Sequence, residues 1–279
     1  MLNSLLVVSV GLADVRRDPD PTSELVTQAL MNAPAISNTT SGEWTHVTLS
    51  DYQGWISTYE LEEPIVLPYC KIGEHCHTPL RLMAVVSIAR TPLYAYAQGD
   101  DSPGNVYLST ALPLLDITQR ERVQVALPGD CVAWLARRAI NICEQHGLYP
   151  RQNISTILDY ARSFLGVPYL WGGTSCEGID CSGFVQLCYR MGGYILPRDG
   201  HQQHAFLQAS VVRREMQAGD LIFFGRKQIT HVALALNNTA YIHSEGQNYN
   251  RVTINSFDPA APHYDARLDQ IVWDIKRVI

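Results

Sequence analysis

The chain has 279 residues, 46% of them apolar and 17% charged, with a formal net charge of −6. That length holds two or three domains with ample buried core, and the mixture is that of a globular protein, not a disordered one. With no basic run to neutralise phosphates the sequence argues against a nucleic-acid partner, and no window reaches the length of a membrane span.

Leu5–Leu12 is the first apolar run. It lacks a basic leader, and charged residues resume at Asp14 without a small-residue cleavage site. It therefore reads as a β-strand and not as a secretion signal, and a cytoplasmic location is expected. Short β-branched runs then dominate up to about residue 145. Val7–Val10, Trp44–Leu49 and Gly54–Ser57 read as strands, with turns at Asp18–Pro21, Ser41-Gly42 and Asp51–Gly54. Leu25, Ala29 and Leu30 suit a helical turn or a strand. A second set runs through Leu82–Ala89, Leu93–Ala97, Val106–Leu108, Val123–Ala126 and Cys131–Leu135. Gly54-Trp55-Ile56 and Cys131-Val132-Ala133-Trp134 each close a strand-rich block, so the pattern predicts two small β-barrels, over residues 1–64 and 65–145. Trp44, Tyr52, Trp55 and Tyr59 could offer a peptide-binding surface, although filling small cores is their simpler use.

Seven cysteines is an odd count without a small-scaffold spacing, so no disulfide framework is expected. Cys70, Cys131, Cys143 and Cys188 read as buried small hydrophobes. Cys70, His75, Cys76 and His77 contain no Cys-x-x-Cys pair, and adjacent ligands diverge on a strand. They read as incidental loop residues, and no metal or cofactor is expected.

Residues 146–279 change character. Pro150 to Asn153 is a polar linker, after which Ile154, Ile157, Leu158, Ala161 and Phe164-Leu165 recur at helical spacing until Gly166 and Pro168 end the helix. The glycine-rich stretch from Gly166 to Phe184 ends in Asp180-Cys181-Ser182-Gly183-Phe184, where a new amphipathic run begins. Cys181 thus falls in the first turn of a helix, where free N–H groups and the dipole favour a thiolate, and is a candidate nucleophile. The neighbouring Asp180 carboxylate opposes this unless it faces away to bind a cation. His201–Leu207 is a candidate short helix. Leu221–Phe224, Val232–Leu236, Ala240–Ile242 and Val272–Ile279 are candidate strands. Helices first and an antiparallel sheet after make an α+β domain. His231 opens one strand and His243 ends the next, and the Asn237-Asn238 turn between them sets the two side by side. A thiol, a base and a group that fixes the base's tautomer make up the set needed for nucleophilic catalysis. His46, His146, His201, His204 and His263 take no role.

Pro168-Tyr169-Leu170-Trp171-Gly172-Gly173, Asp180–Phe184, Leu196-Pro197-Arg198-Asp199, Ala218–Phe224, Thr230–Ala233 and Tyr241-Ile242-His243 resemble, in order, the blocks of the NlpC/P60 family of papain-like cysteine peptidases. The upstream half is similar to the bacterial SH3 modules of the γ-D-glutamyl-L-diamino acid endopeptidases. The resemblance implies a papain-like catalytic domain over 146–279, with Cys181 as nucleophile, His231 as base and His243 as its orienter. It implies that Asp180 and Ser182 contact the substrate, that Tyr169 and the Cys181 N–H hold the oxyanion, and that Glu60, Glu62 or Glu63 meets the substrate's free amine. The expected activity is hydrolysis of the γ-D-glutamyl–diamino acid bond of murein peptides with a free N-terminal L-Ala, in cell-wall peptide recycling. The alternatives are a wall-bound DL-endopeptidase or amidase, or a peptide-binding module without activity. Two residues depart from the family pattern. Gly200 stands where relatives often carry a substrate-touching serine, and Cys176, five positions before Cys181, is a candidate for a reversible disulfide with it.

Overall fold

A computed structural model describes residues 3–66 and 82–279, so Cys70, His75, Cys76 and His77 lie outside the described residues. The chain divides into two compact units, Met1–Leu148 and Tyr149–Ile279.

The first unit is almost wholly antiparallel sheet. Its leading module is a seven-stranded sheet in the order Leu25–Leu30, Leu12–Arg16, Gln53–Ser57, Trp44–Thr48, Pro34–Ser41, Leu5–Val8, Leu61–Glu62. Alternate residues point inward, so Val8, Ala13, Val15, Val26, Val47 and Ile56 close one small core. Tyr52 packs on this core, Trp55 faces away from it edge-on to His46, and Tyr59 is exposed with its hydroxyl on Glu43. Of the three acidic residues near the end of this module, Glu62 and Glu63 are exposed. Glu60 is half-buried, and burial and the Asp14 carboxylate push its carboxyl up. The second module has a five-stranded sheet, a hairpin of Arg90–Leu93 with Gly104–Tyr107, and its own core around Val86, Leu112, Val125 and Leu135. Met31 reaches into that second core and the Asn32 side-chain amide donates to the Ala111 carbonyl at 2.9 Å, which ties the two modules together. Cys131 is exposed, contrary to its reading as a buried hydrophobe. It shares the inward parity of Ala133 and Leu135 but lies at the strand end, past the core.

The second unit begins with helix α1 (Ile154–Ser163), capped by Asn153, whose side chain accepts from the Thr156 N–H. Its buried stripe of Ile157, Leu158 and Ala161 continues into Phe164, which meets Phe184 of α2 (Cys181–Met191) edge-on. Helix α3 (Gly200–Phe206) follows, and then a six-stranded antiparallel sheet. Its strands are β1 (Ala209–Ser210), β2 (Leu221–Gly225), β3 (Ile229–Ala235), β4 (Ala240–Glu245), β5 (Arg251–Ser256) and β6 (Val272–Arg277), paired in the order β1-β6-β2-β3-β4-β5. A one-turn helix, α4 (Ala266–Asp269), precedes β6. α2 is buried along nearly its whole length and packs on β3 and β4, so its first turn is carried to the end of the sheet where β3 begins. This is the expected α+β arrangement. Strand β5 was not anticipated, because Arg251-Val-Thr-Ile-Asn-Ser buries polar residues where a sheet usually buries apolar ones.

Candidate active site

The stretch before α2 is folded back by a short hairpin, Thr174–Ser175 with Gly178–Ile179, and Cys176, half-buried and not disulfide-bonded, sits in its turn. Asp180 caps α2. Its Oδ1 accepts from the Gly183 N–H at 2.7 Å and the Ser182 hydroxyl at 3.1 Å, and its Oδ2 from the Gly172 N–H at 3.0 Å. The buried Arg198 guanidinium adds Nη1 to Oδ1 at 3.0 Å and Nη2 to Oδ2 at 2.6 Å. Arg198 Nη1 also donates to the Ser182 hydroxyl at 3.0 Å. Gly183 has to be a glycine, since a Cβ there would stand 2.7 Å from the Gly173 carbonyl oxygen. The Asp180 and Ser182 side chains, expected to contact substrate, are bonded here to one another and to Arg198. Both are buried and engaged with Arg198 and the glycine loop, and the cation that Asp180 faces is Arg198.

Cys181 is half-buried in the first turn of α2. The backbone N–H groups of Val232 and Ser182 point at its sulfur. Burial and the Asp180 carboxylate push its thiol up to about 12, outweighing those N–H groups and Arg198. The helix start favours the thiolate, and burial works against it. Burial costs the charged form more than one helix end returns.

Val232 is the residue after His231, so the sulfur lies at the start of β3, where the histidine pair is found. His231 Nε2 and His243 Nδ1 are 2.8 Å apart, with ring centroids at 5.0 Å. The register Leu234↔Ile242 and Ala235↔Tyr241, carried back along β3, makes His231 and His243 diagonal neighbours on one face of the sheet. Phe224 flanks His231, and Tyr241 flanks His243. Burial lowers both imidazoles, His231 well below its ordinary value and His243 to about 4, with further lowering of His231 by His243. Both rings are neutral at pH 7. His243 Nε2 in turn lies 2.8 Å from Asn255 Oδ1 on β5, a partner that no spacing in the sequence announces.

Tyr169 is clamped between its N–H bond to the Asn250 carbonyl, a bridge to Ile179, and Gly246, where a Cβ would lie 2.6 Å from the tyrosine ring. Burial, then the charges of Cys181 and Asp180, raise its phenol, so it is a neutral O–H donor beside the nucleophile. Gly200 opens α3 with room for a side chain, the nearest atom to a Cβ there being Val232 Cγ1 at 3.8 Å. Of the histidines left without a role, His204 bonds Asp274 at 2.9 Å, and His263 enters the site only through its backbone carbonyl, which accepts from Asn255. No group of three or more His, Cys, Asp or Glu side chains among the described residues is arranged to hold a metal ion.

Residues 166–269 match the NlpC/P60 family, and residues 15–61 match the bacterial dipeptidyl-peptidase Sh3 domain. The γ-D-glutamyl-L-lysine dipeptidyl-peptidase of Bacillus subtilis is 28% identical over 233 residues, 78% of this chain and 71% of that one. Dipeptidyl-peptidase 6 of Lysinibacillus sphaericus is 25% identical over 273 residues, 92% of this chain and 93% of that one. The crystal structure of an NlpC/P60 family protein from Bacillus cereus shares the fold at a TM-score of 0.81 and 24% identity, covering 98% of this chain and 99% of that one.

Proposed function

We propose that this chain, whose residues 166–269 match the NlpC/P60 family and are preceded in sequence by a bacterial SH3 domain, is a cysteine peptidase that cuts the γ-D-glutamyl bond to a diamino acid in murein peptides. The module limits we propose are 1–64, 65–145 and 146–279. Relatives named as γ-D-glutamyl-L-lysine dipeptidyl-peptidases support the bond. One observation carries the chemistry: the hydrogen-bonded His231–His243 pair opens the strand whose next N–H, that of Val232, meets the Cys181 sulfur.

The groups divide the work as follows. Cys181 rests as a thiol and His231 as a neutral base, so the proton passes from sulfur to His231 as sulfur attacks the γ-glutamyl carbonyl. The Cys181 N–H and the Tyr169 hydroxyl donate to the oxyanion. His231 returns the proton to the departing amine of the diamino acid, and the C–N bond breaks. Water, deprotonated by His231, then releases the L-Ala-γ-D-Glu acyl group and regenerates the thiol.

The name dipeptidyl-peptidase describes release of a dipeptide from a free amino end. We extend it here to peptides that begin with an unblocked L-Ala, the form met in cytoplasmic recycling of wall fragments. No helix among the described residues is long and apolar enough to cross a membrane. The test is incubation of the full chain with L-Ala-γ-D-Glu-L-Lys and L-Ala-γ-D-Glu-diaminopimelate, each free and N-acetylated, followed by mass spectrometry. Release of L-Ala-γ-D-Glu from the free peptides only, abolished in Cys181→Ala, is expected. Equal cleavage by Cys181→Ala would end the proposal.

A further inference from the structure

Behind the histidine pair the hydrogen bonds run in a line, and chemistry gives that line a direction. The His263 carbonyl oxygen can only accept, and the Asn255 side chain lies 3.0 Å from it through Nδ2. The amide nitrogen must therefore face His263, which leaves Oδ1 to face His243 Nε2 at 2.8 Å. An amide oxygen also only accepts, so His243 carries its proton on Nε2 and presents a bare Nδ1. That Nδ1, 2.8 Å from His231 Nε2, requires the His231 proton on Nε2 and leaves the lone pair on His231 Nδ1.

We infer that Asn255 is a positioning residue that sets the tautomers of His243 and His231 in series, and so decides which nitrogen of His231 is free to take a proton. The inference rests on the catalytic roles proposed above only for its consequence, not for the bond order itself. Asn255 is buried, and its second amide hydrogen is held by the Tyr249 hydroxyl at 2.9 Å, which in turn reaches Asp265 at 3.3 Å. With both amide hydrogens engaged, the side chain cannot turn over without presenting oxygen to a carbonyl and N–H₂ to a ring N–H. A terminal orienter in a nucleophile–base array is commonly a carboxylate, which stabilises an imidazolium as well as a tautomer. A neutral amide selects the tautomer and leaves His243 uncharged. The charged and titratable groups around His243 are His231 on β3, Tyr241 and Glu245 on its own strand, Tyr249 in the following turn, and Asp265 and Arg267 at the start of α4. Arg267 bonds Glu245 at 2.8 Å and lies 3.7 Å from Asp265, one cation set against two carboxylates.

The experiment uses the full chain with ¹⁵N-labelled histidine, in which long-range ¹H–¹⁵N spectra distinguish Nδ1–H from Nε2–H rings. His231→Asn and His243→Asn samples assign the two signals. Wild type should show Nε2–H at both residues, and Asn255→Ala should lose the single tautomer at both. An Nδ1–H signal at His243 in wild type, or an unchanged pair of tautomers in Asn255→Ala, would overturn the inference. If Asn255→Ala fails to fold, the wild-type spectrum and Asn255→Asp still decide. A carboxylate there should draw a second proton onto His243, turn its Nδ1 into a donor, and raise the acid limb of the kcat profile. A tautomer spectrum unchanged in Asn255→Asp, with an unshifted acid limb, counts against it. On peptide substrate Asn255→Ala should lose about tenfold to a hundredfold in kcat with little change in KM, as for removal of an outer orienting partner. A wild-type protein with the ordered tautomers and no peptidase activity would discard the function proposed above and leave this inference standing.

Discussion

Arg198 grips Asp180 with both terminal nitrogens, at 3.0 and 2.6 Å, and neither side chain is open to solvent. A carboxylate next to the nucleophile raises the cost of forming a thiolate. Here that carboxylate is matched by a buried guanidinium while it ties the Gly172 loop to the first turn of α2. The pair is the joint that places Cys181.

Removing one side of this joint should cost more than removing both. Arg198→Met leaves a buried carboxylate without its cation, and a loss of about 3–5 kcal/mol of stability is expected. Arg198→Lys also loses the fork geometry and should fall between that variant and wild type. Asp180→Asn combined with Arg198→Met should regain part of the loss. Urea denaturation followed by circular dichroism reads all three. A wild-type midpoint in Arg198→Met would show the pair to be unimportant.

The state of the thiol can be read from its alkylation. With Cys181 pushed up to about 12 and both histidines lowered, the resting site holds a neutral thiol and neutral imidazoles. The iodoacetamide rate at Cys181, followed by peptide mass spectrometry, should climb steadily with pH through and beyond the ordinary thiol value of about 8.5. A plateau between about pH 5 and pH 8 would instead reveal a standing thiolate–imidazolium pair.

The elements that position the site were legible where burial is apolar. Ile157, Leu158 and Ala161 marked α1, and Phe184 and Leu187 marked α2, because their spacing follows the face that packs. The strand runs around Phe223 and Leu234 were visible for the same reason. What stayed hidden is polar and non-local. β5 buries Asn255 and Ser256, so it has no hydrophobic signature, and the partners of the Asn255 side chain, His243, Tyr249 and His263, all lie outside its own strand. Arg198 was visible as part of Leu-Pro-Arg-Asp, but nothing local shows that an arginine is buried, since that depends on a carboxylate eighteen residues away. A helix start that favours a thiolate can be seen in sequence, while the desolvation that opposes it cannot.

Acid should weaken the fold through the histidine pair. His243 titrates near 4 when folded and near its ordinary 6.5 when unfolded, so below 6.5 the unfolded chain binds the extra proton. Stability is whole above that value and falls with pH down to the folded value, where the loss saturates at about 3 kcal/mol from this residue. His231 is lowered too and adds loss of the same sign. Urea midpoints measured from about pH 7 to pH 4 should decline in wild type and decline less in His243→Gln. Identical slopes would place the acid sensitivity elsewhere.

Tyr169 offers a test of the oxyanion arrangement at two positions. Tyr169→Phe keeps the ring and removes the donor, and a loss of about a hundredfold or more in kcat with KM little changed is expected for an interaction made mainly in the transition state. Gly246→Ala leaves the phenol in place chemically but drives a methyl to 2.6 Å from its ring, so the ring has to move. If the hydroxyl acts from its present position, Gly246→Ala should lower kcat in the same direction, and combining the two substitutions should cost little more than Tyr169→Phe alone, because both act on one hydrogen bond. Full activity in Tyr169→Phe would leave the backbone N–H of Cys181 as the donor and reduce Tyr169 to a wall of the site.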